Sequence, residues 1–361
     1  MKKKIIVFGR GRYFEEKKEE LYAKYSIKEI WDNSIRRGVK DYHENIPVIN
    51  PLDADRIGTE PVYLLSVRFI EMWRFLINNG MTPDRLVVPY DIPNLYENDE
   101  AIQHCVRKIE FSRENVIVTT SQNEKLRVGD EAEWRELLQV FYRNTYPVIE
   151  AVSQMDTTPI SGQFGTERGT PVDRYYIEQF LNEHREYIKG TILEIEDNLY
   201  TCQFAENNYK SIVLNVDSGS TNIDFIANLE TGEGIREKVA DCFICTQTLM
   251  YIYDIRNAVE NIYRLLKPGG VVLLTCSGIS QNSRRCMDNY GCTFNYNVDA
   301  IKKMFGNRER FEMLSVGSYG NVKTVCAHLA GLCQEDLRED AFLVNDKYYP
   351  LVVYAAVRRV G

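Results

Sequence analysis

The sequence Leu265-Leu266-Lys267-Pro268-Gly269-Gly270, followed by Val271-Val272-Leu273-Leu274, predicts a helix that ends in a tight turn and leads into a buried strand. Upstream, apolar residues recur at helical spacing from Ala258 to Leu266, which gives the helix one apolar face. Pro268 cannot continue a helix, because it has no N–H group and its ring clashes with the preceding turn. Gly269 and Gly270 tolerate the positive φ angles that let the chain reverse. The apolar run that follows is typical of a parallel strand covered on both faces.

Strand and helix patterns alternate over much of the chain. In the first part, strands are predicted at 4–8, 26–31, 62–66 and 86–88, and helices at 15–25 and 69–79. In the second part, a helix is predicted at 173–187 and strands at 191–195, 211–217, 223–228, 241–246 and 271–276. Such alternation predicts an α/β protein with two Rossmann-like domains, whose sheets are mostly parallel and carry helices on both faces.

The alternation stops in the middle of the chain. The patterns there predict a hairpin at 115–120 and 125–128, a helix at 131–142 and a loop at 157–165. We therefore expect a nucleotide-binding-type domain over 1–110, a connecting region over 111–165 and a second domain over 166–361. A chain of 361 residues is long enough for two hydrophobic cores.

Charge and cysteine content exclude some classes of protein. A net charge of -8 argues against nucleic acid as the main partner. The nine cysteines are scattered and do not suggest a disulfide framework. Cys242-x-x-Cys245 has the spacing of a metal-binding pair, but it lies in a strand-like run without a second pair, so buried core cysteines are expected and no metal site.

The location expected from the sequence is the cytoplasm. The apolar run after Lys2-Lys3-Lys4 is too short for a signal peptide, and no run is long enough to span a membrane. Free thiols are typical of a reducing compartment. The sequence leaves a homo-oligomer open.

Several motifs of the second half share one resemblance. These are Leu193-Glu194-Ile195-Glu196-Asp197-Asn198-Leu199-Tyr200-Thr201, the run Asp241 to Leu249, and the Leu-Lys-Pro-Gly-Gly corner. Their order and spacing over roughly residues 166–357 resemble class I S-adenosylmethionine-dependent methyltransferases. The resemblance implies S-adenosylmethionine as cofactor.

A narrower resemblance rests on further motifs. They are Gly169-Thr170-Pro171-Val172-Asp173-Arg174-Tyr175-Tyr176, Gly278-Ile279-Ser280-Gln281-x-Ser283-Arg284 and Ser318-Tyr319-Gly320-Asn321-Val322. Together with the first turn they resemble bacterial methyltransferase domains associated with surface-polysaccharide biosynthesis. This implies O-methylation of a sugar, nucleotide-sugar or polysaccharide intermediate. The alternative is a non-catalytic scaffold that binds nucleotides or nucleotide-sugars.

The resemblance implies a set of cofactor residues at the carboxyl ends of the strands, where open α/β sheets bind ligands. It places Glu194 near the methionine ammonium, Asp217 at the ribose hydroxyls, and Asn228 with the Leu229 backbone at the adenine amine. The whole implied set is Glu194, Ile195, Glu196, Asn198, Tyr200, Asp217, Asn228, Leu229, Thr246, Gln247 and Thr248.

The first turn departs from the usual pattern of an acid followed by three alternating glycines. Glu194-Ile195-Glu196-Asp197-Asn198 contains no glycine. Glycine allows close approach of the backbone to a cofactor, so Asp197 or Asn198 is expected to take the left-handed conformation instead. Loss of cofactor binding is the alternative interpretation.

Methylation of a sugar hydroxyl needs a general base. By residue type the candidates are Asp288, Asp173 and His328. His328 lies in an apolar run, so a core histidine with satisfied ring nitrogens is the stronger interpretation there. The predicted substrate-binding residues are Gln281, Arg284, Tyr290 and Tyr319, and Arg284 could equally bind a phosphate.

The N-terminal turn has the context of a dinucleotide fingerprint. Gly9-Arg10-Gly11-Arg12 follows a strand and opens a helix, and Asp32 lies about 20 residues further on. Phe14 replaces the third glycine. Gly9, Gly11 and Asp32 are the candidate nucleotide-binding residues, with Arg10 and Arg12 close to any phosphate.

The run Ile46 to Pro51 resembles the nucleotide-binding domain that precedes some bacterial sugar acyltransferases, over about residues 3–90. Recognition of a nucleotide-sugar, binding of an NAD-type cofactor for an oxidoreductase, and a scaffold without ligand stay open for this domain.

Overall fold

The computed structural model describes residues 2–55, 57–66, 68–88, 104–217 and 222–361. The chain divides into two compact units, residues 1–155 and 156–361. Both contain parallel strands and helices, which confirms the predicted α/β class. Among the described residues, no helix is long and apolar enough to cross a membrane.

The first unit contains a six-stranded sheet in the order β3-β4-β2-β1-β5-β6. The strands are β1 Lys3–Phe8, β2 Tyr25–Trp31, β3 Lys40–His43, β4 Ile46–Ile49, β5 Val62–Leu64 and β6 Leu86–Val87. Only β3 is antiparallel to its neighbour β4. The chain moves outward from β1 first to one side and then to the other, so the strand order reverses at β1. The β3–β4 pair was not predicted.

Two helices cover opposite faces of this sheet. Helix α1, Arg12–Lys24, packs Phe14 and Leu21 against Ile5 and Val7 of β1. Helix α2, Phe69–Asn78, packs on the residues of β1 that alternate with these, Ile6 and Phe8. Successive side chains of a strand point to opposite faces, so β1 is covered on both sides as predicted.

A small antiparallel sheet completes the first unit. It contains β7 Val106–Phe111, β8 Val116–Thr120 and β9 Lys125–Val128, and it is followed by α3 Glu131–Thr145 and α4 Pro147–Ser153. Strand β7 and helix α4 were not predicted. Trp134 and Phe141 of α3 share one hydrophobic core with Trp73 of α2. Most of the predicted connecting region is therefore grouped with the first unit.

The second unit contains a seven-stranded sheet in the order β12-β11-β10-β13-β14-β16-β15. The strands are β10 Thr191–Ile195, β11 Lys210–Asn215, β12 Phe225–Ile226, β13 Ala240–Thr246, β14 Leu266–Ser277, β15 Phe311–Tyr319 and β16 Val352–Arg359. The first five strands of the sheet order are parallel, and β16 is antiparallel to both β14 and β15. The order reverses at β10, which opens a crevice beyond the carboxyl ends of β10 and β13.

Helices cover both faces of the second sheet. The helices of this unit are α5 Val172–Glu183, α6 Leu199–Phe204, α7 Ile255–Leu265, α8 Arg284–Asn289, α9 Val298–Met304 and α10 Val322–Ala330. Helices α5 and α10 contribute to one core, and helices α7 and α9 contribute to the core on the other face.

The Leu-Lys-Pro-Gly-Gly corner is part of strand β14, whereas a tight turn before the strand was predicted. Helix α7 ends at Leu265, and Leu266 already pairs with Ala240 of β13. The next pair joins Cys242 to Val271, so the intervening residues bulge out of the strand. Gly269 has φ +79°, and a Cβ at Gly270 would lie 2.9 Å from the Ala240 oxygen. The glycines are thus required by a bulge at the start of β14.

The cysteine pair of β13 lies in the core, as predicted. Cys242 and Cys245 are fully buried. Burial raises the pKa of the Cys245 thiol to about 12, so this thiol is a packing group rather than a nucleophile. Within the described residues, no His, Cys, Asp and Glu side chains are grouped in a way that could hold a metal ion.

Candidate functional site

A cleft of about 1730 Å³ lies at the carboxyl ends of the parallel strands of the second unit. Its floor is formed by the residues that end β10, β11 and β13. The loop 160–171 forms one wall, and residues 277–295, which follow β14, form another. Every residue of the implied cofactor set except Asn198 lines this cleft. Asn198 instead donates a hydrogen bond from Nδ2 to Ser211 Oγ at 3.3 Å.

Glu194 ends β10 as a buried carboxylate, 3% exposed. One oxygen accepts from the Tyr200 N–H at 3.1 Å, and the other from the Thr201 N–H at 2.8 Å and the Thr201 hydroxyl at 2.7 Å. Burial raises the pKa of the Glu194 carboxyl, and these hydrogen bonds oppose the rise only in part. Because its carboxylate accepts from the N–H groups of the first turn of α6, Glu194 fixes the start of this helix. A carboxylate has about four acceptor positions, so one remains for a ligand.

In the glycine-free turn, the left-handed backbone conformation occurs at a residue for which it was not predicted. Glu196 has φ +72°, whereas Asn198 has φ -127° and Asp197 is not in the left-handed region. The expectation for Asp197 or Asn198 was therefore wrong. The Glu196 N–H donates to Leu214 O at 2.9 Å, and Asp197 Oδ1 accepts from the Leu199 N–H at 3.0 Å. These bonds offset the ~1–2 kcal/mol that a side chain costs in this conformation.

The residues that follow β11 and β12 differ in whether their side-chain oxygens can accept a hydrogen bond from a ligand. The exposed Asp217 accepts a hydrogen bond from the Tyr290 hydroxyl at 2.8 Å. Asn228 Oδ1 accepts from the Glu230 N–H at 2.7 Å and the Thr231 N–H at 3.1 Å. An amide oxygen has two lone pairs, so this oxygen is fully used by its own turn. The implied acceptance of the adenine amine by Asn228 does not agree with this geometry.

Gln247, directly after β13, has a buried amide nitrogen without a hydrogen-bond partner among the described residues. Its backbone has φ +48°. Its Oε1 accepts from the Ser277 hydroxyl at 2.9 Å. Its Nε2 is buried and has no hydrogen-bond partner among the described residues. Buried donors in native proteins normally have a partner, so Gln247 fits a polar ligand in the cleft that it lines.

An arginine on α5 lines the cleft beside these residues and was not predicted as a site residue. Arg174 donates to the Tyr200 hydroxyl at 2.8 Å. Burial disfavours its charge, but the neighbouring Asp173 and Tyr200 outweigh burial, so the pKa of Arg174 lies above its ordinary value. Arg174 belongs to the Gly169–Tyr176 motif of the narrower resemblance, but nothing in that motif distinguishes it from its neighbours as a site residue.

The predicted substrate residues separate into two groups. Gln281, Arg284 and Tyr290 line the cleft. A Cβ at Gly162 would lie 2.7 Å from Arg284 Cζ, so glycine leaves room for the guanidinium there. Tyr319 does not line the cleft: its hydroxyl donates to Glu183, and its ring stacks on its neighbours in the core. The predicted role of Tyr319 in substrate binding does not agree with this position.

The three candidate bases also separate. Asp173 lines the cleft, whereas Asp288 is exposed on α8 outside the cleft lining. His328 is buried on α10, and its Nε2 lies 3.0 Å from Ser280 Oγ. Its Nδ1 is buried without a partner among the described residues. His328 is therefore buried in the core as predicted, but the prediction that both of its ring nitrogens are hydrogen-bonded is wrong for Nδ1.

In the N-terminal turn of the first unit, Arg10 forms ion pairs with two acidic residues. Gly9 has φ +110°, and a Cβ there would lie 2.9 Å from Leu65 O, so the turn requires glycine. Arg10 Nε lies 3.2 Å from Asp32, and Arg10 Nη1 lies 3.0 Å from Asp41. Asp32, one of the candidate nucleotide-binding residues, is thus already paired with a cation. The side chain of Arg12 lies outside the described residues.

Comparison with known proteins gives one family match. Residues 181–274 match the sequence model of a methyltransferase domain family. This segment runs from α5 to the middle of β14 and contains the strand ends that form the floor of the cleft. No curated protein sequence matches significantly.

Solved structures similar to this chain include several methyltransferases. An S-adenosylmethionine-dependent methyltransferase from Mesorhizobium loti is 14% identical, with 52% of this chain and 98% of that chain covered and a TM-score of 0.36. The N-methyltransferase NodS from Bradyrhizobium japonicum, in complex with S-adenosyl-L-homocysteine, is 14% identical, with 53% and 89% covered and a TM-score of 0.35.

The family match covers the strand ends around the cleft, so the second unit contains a methyltransferase domain.

Proposed function

We propose that the second unit is a cytoplasmic O-methyltransferase that methylates a hydroxyl of a sugar, as part of a surface-glycan intermediate. The observation that carries the proposal is the convergence of Glu194, Asp217 and Gln247 at neighbouring strand ends in one cleft. The cleft volume of about 1730 Å³ exceeds the ~300–1,000 Å³ of ordinary ligand pockets. A cofactor and an acceptor therefore fit together.

The cleft residues suit the parts of S-adenosylmethionine. The remaining acceptor position of Glu194 matches an ammonium, and the Asp217 carboxylate can accept from ribose hydroxyls. The unpaired Gln247 Nε2 supplies a donor, and the buried Leu229 supplies apolar surface for a purine. The sulfonium is an activated methyl donor when bound, so the protein has to align the acceptor and exclude water.

The charge of the cleft supports a neutral acceptor over a phosphorylated one. Its lining contains the carboxylates Glu167, Asp173, Glu178, Glu194, Glu196, Asp197, Asp217 and Glu230. The cations in the same lining are Arg174 and Arg284. A diphosphate placed here would meet mainly like charge, which acts against binding. A nucleotide-sugar is therefore the less favoured form of the acceptor, and a neutral glycan the more favoured one.

A scaffold without catalysis is the second candidate. The observation that favours it is the left-handed Glu196 in place of the glycines that usually admit the cofactor.

For the first unit, the proposal is a Rossmann-like domain in which Gly9, Gly11 and Asp32 form the nucleotide-binding turn. The Arg10–Asp32 pair would have to open for a ribose to reach Asp32. Titration with NADH and with UDP-glucose tests that turn.

The experiment for the enzyme is transfer of a radiolabelled methyl group from S-adenosylmethionine. The acceptors are methyl glycosides of glucose, galactose and mannose, a bacterial surface-glycan fraction, and UDP-glucose. The expected result is label in neutral glycans that S-adenosylhomocysteine suppresses. The matched control is Asp288→Asn, exposed on α8, which should transfer at the wild-type rate. Label confined to UDP-glucose contradicts the neutral acceptor, and cofactor binding without any transfer favours the scaffold.

A further inference from the structure

A serine on the cleft wall is hydrogen-bonded to a histidine behind it. Ser280, which follows β14, lines the cleft. Its Oγ lies 3.0 Å from Nε2 of His328, which is 1% exposed. The ring of Phe164, another cleft residue, stacks on the imidazole with centroids 5.2 Å apart. Gln281 Nε2 donates to the backbone oxygen of His328 at 3.4 Å and joins the two segments.

The serine hydroxyl has the connections of a proton relay. It has one hydrogen to donate and two lone pairs with which to accept. In the structure the Ser280 hydroxyl donates to the backbone oxygen of Gln281 at 3.1 Å, and rotation about its Cβ–Oγ bond turns the same hydrogen to Nε2 of His328. When the hydrogen points to His328, a lone pair of Ser280 is free to accept from a hydroxyl group in the cleft. A proton can then enter at Ser280 as another leaves toward the ring.

The surroundings of His328 suit a proton acceptor. Burial lowers the pKa of the imidazole below its ordinary value of 6.5, and the carboxylate of Asp173 on α5 opposes this. The ring is therefore neutral at pH 7 and able to accept a proton. The charge that forms is stabilised by Asp173. The buried Nδ1 without a partner marks the ring as more than a packing group.

We propose that Ser280 and His328 carry away the proton of the acceptor hydroxyl during methyl transfer. The acceptor proton moves to Ser280 Oγ while the Ser280 proton moves to Nε2 of His328. The acceptor oxygen forms its bond to the methyl carbon, and the electron pair of the breaking carbon–sulfur bond stays on sulfur. The proton returns to solvent by the same route after the product leaves. This inference rests on the proposed O-methyltransferase function.

The tautomer of His328 tests the relay without any substrate. Nε2 can accept from Ser280 only if the proton of the neutral ring is on Nδ1. His184 is a matched reference outside the cleft, because its Nδ1 lies 2.9 Å from Phe180 O and its Nε2 lies 2.6 Å from Ser315 Oγ. A carbonyl only accepts, so that ring carries its proton on Nδ1.

The measurement is the ¹⁵N spectrum of the intact chain labelled at its four histidines, with His328 assigned by His328→Gln. We expect ring shifts of His328 that match those of His184, and a change in its Nε2 shift in Ser280→Ala. Ser315→Ala is the control and should change only His184. A His328 proton on Nε2, or ring shifts that Ser280→Ala leaves unchanged, would overturn the proposal.

Turnover supplies the second readout. With the methyl glycosides as acceptor probe, His328→Gln should lower kcat ~10²–10⁴-fold, the range of general base catalysis, with the KM for S-adenosylmethionine unchanged. Wild-type kcat should rise with pH through the pKa of His328, and this rise should be absent in Ser280→Ala. Full activity of His328→Gln would overturn the relay. If the wild type binds S-adenosylhomocysteine but transfers nothing, the O-methyltransferase function is wrong and the relay is wrong with it, whereas transfer by the wild type that His328→Gln retains in full overturns the relay alone.

Discussion

Replacement of Glu194 tests both the architecture of the first turn and its place in the site. In Glu194→Ala, the Thr201 N–H and hydroxyl lose the carboxylate that they bind at 2.8 and 2.7 Å. Thr201 is fully buried, and each buried donor left without a partner costs ~1–3 kcal/mol. We therefore expect a loss of about 2–5 kcal/mol in the free energy of unfolding. For a unit of about 200 residues this corresponds to a Tm lower by about 5–15 °C.

The more conservative Glu194→Gln separates stability from binding. Its amide oxygen keeps one acceptor for the donors of α6, so the expected loss of stability is about 1–2 kcal/mol. It removes the negative charge, so affinity for S-adenosylhomocysteine should fall ~10–100-fold, the equivalent of a hydrogen bond to a charged group.

Scanning calorimetry and isothermal titration on the same preparations measure the two effects. Asp288→Asn is the control for both. A Tm of Glu194→Ala within 1–2 °C of the wild type (roughly half a kcal/mol) would refute the reasoning about the hydrogen bonds. Unchanged affinity in Glu194→Gln would remove the carboxylate from the cofactor site.

Three further predictions follow from the same geometry. Gln247→Leu removes the unpaired Nε2 and should weaken S-adenosylhomocysteine binding about tenfold by calorimetry; wild-type affinity would show that the amide does not meet the cofactor. Gly270→Ala should lower stability by about 1–3 kcal/mol, because its Cβ would meet the Ala240 oxygen at 2.9 Å. Gly269→Ala should lower it only by the ~1–2 kcal/mol of a left-handed side chain, so urea unfolding that ranks Gly269→Ala as the more damaging change contradicts the bulge. Burial raises the folded-state pKa of Glu194, so folding favours its protonated form. The contribution of this protonated group to stability should therefore be lost as pH rises from about 4.5 through the folded-state pKa. The difference in Tm between wild type and Glu194→Gln, followed from pH 4 to 8, should show this loss, and a difference independent of pH contradicts it.

Local patterns predict the parallel strands because burial on both faces leaves a continuous apolar run. The segments 191–195 and 271–276 lie within β10 and β14 for this reason. The antiparallel β15 and β16 were not predicted, because β16 lies between β14 and β15 in the sheet although it follows both in sequence. Such a position depends on pairing between distant segments, for which a local pattern gives no signal.

The site likewise has residues that could be predicted from local sequence and residues that depend on contacts between distant segments. Residues at strand ends share one edge of the sheet by topology alone, so Glu194, Asp217 and Gln247 could be placed from the sequence. The Ser280–His328 pair could not, because 48 positions separate its members and α10 brings them together only through tertiary packing. The strain at Glu196 rather than Asp197 was missed because both residues belong to one polar run, and only the hydrogen bond from Glu196 to Leu214 distinguishes them.

The central claim is that the cleft at the ends of β10, β11 and β13 holds S-adenosylmethionine despite its glycine-free turn. Isothermal titration of the intact chain with S-adenosylmethionine, repeated with Gln247→Leu, tests it most directly. The claim predicts saturable binding at one site per chain that is weakened about tenfold in the variant. Absence of binding to folded wild-type protein, or equal affinity of both proteins, would contradict it.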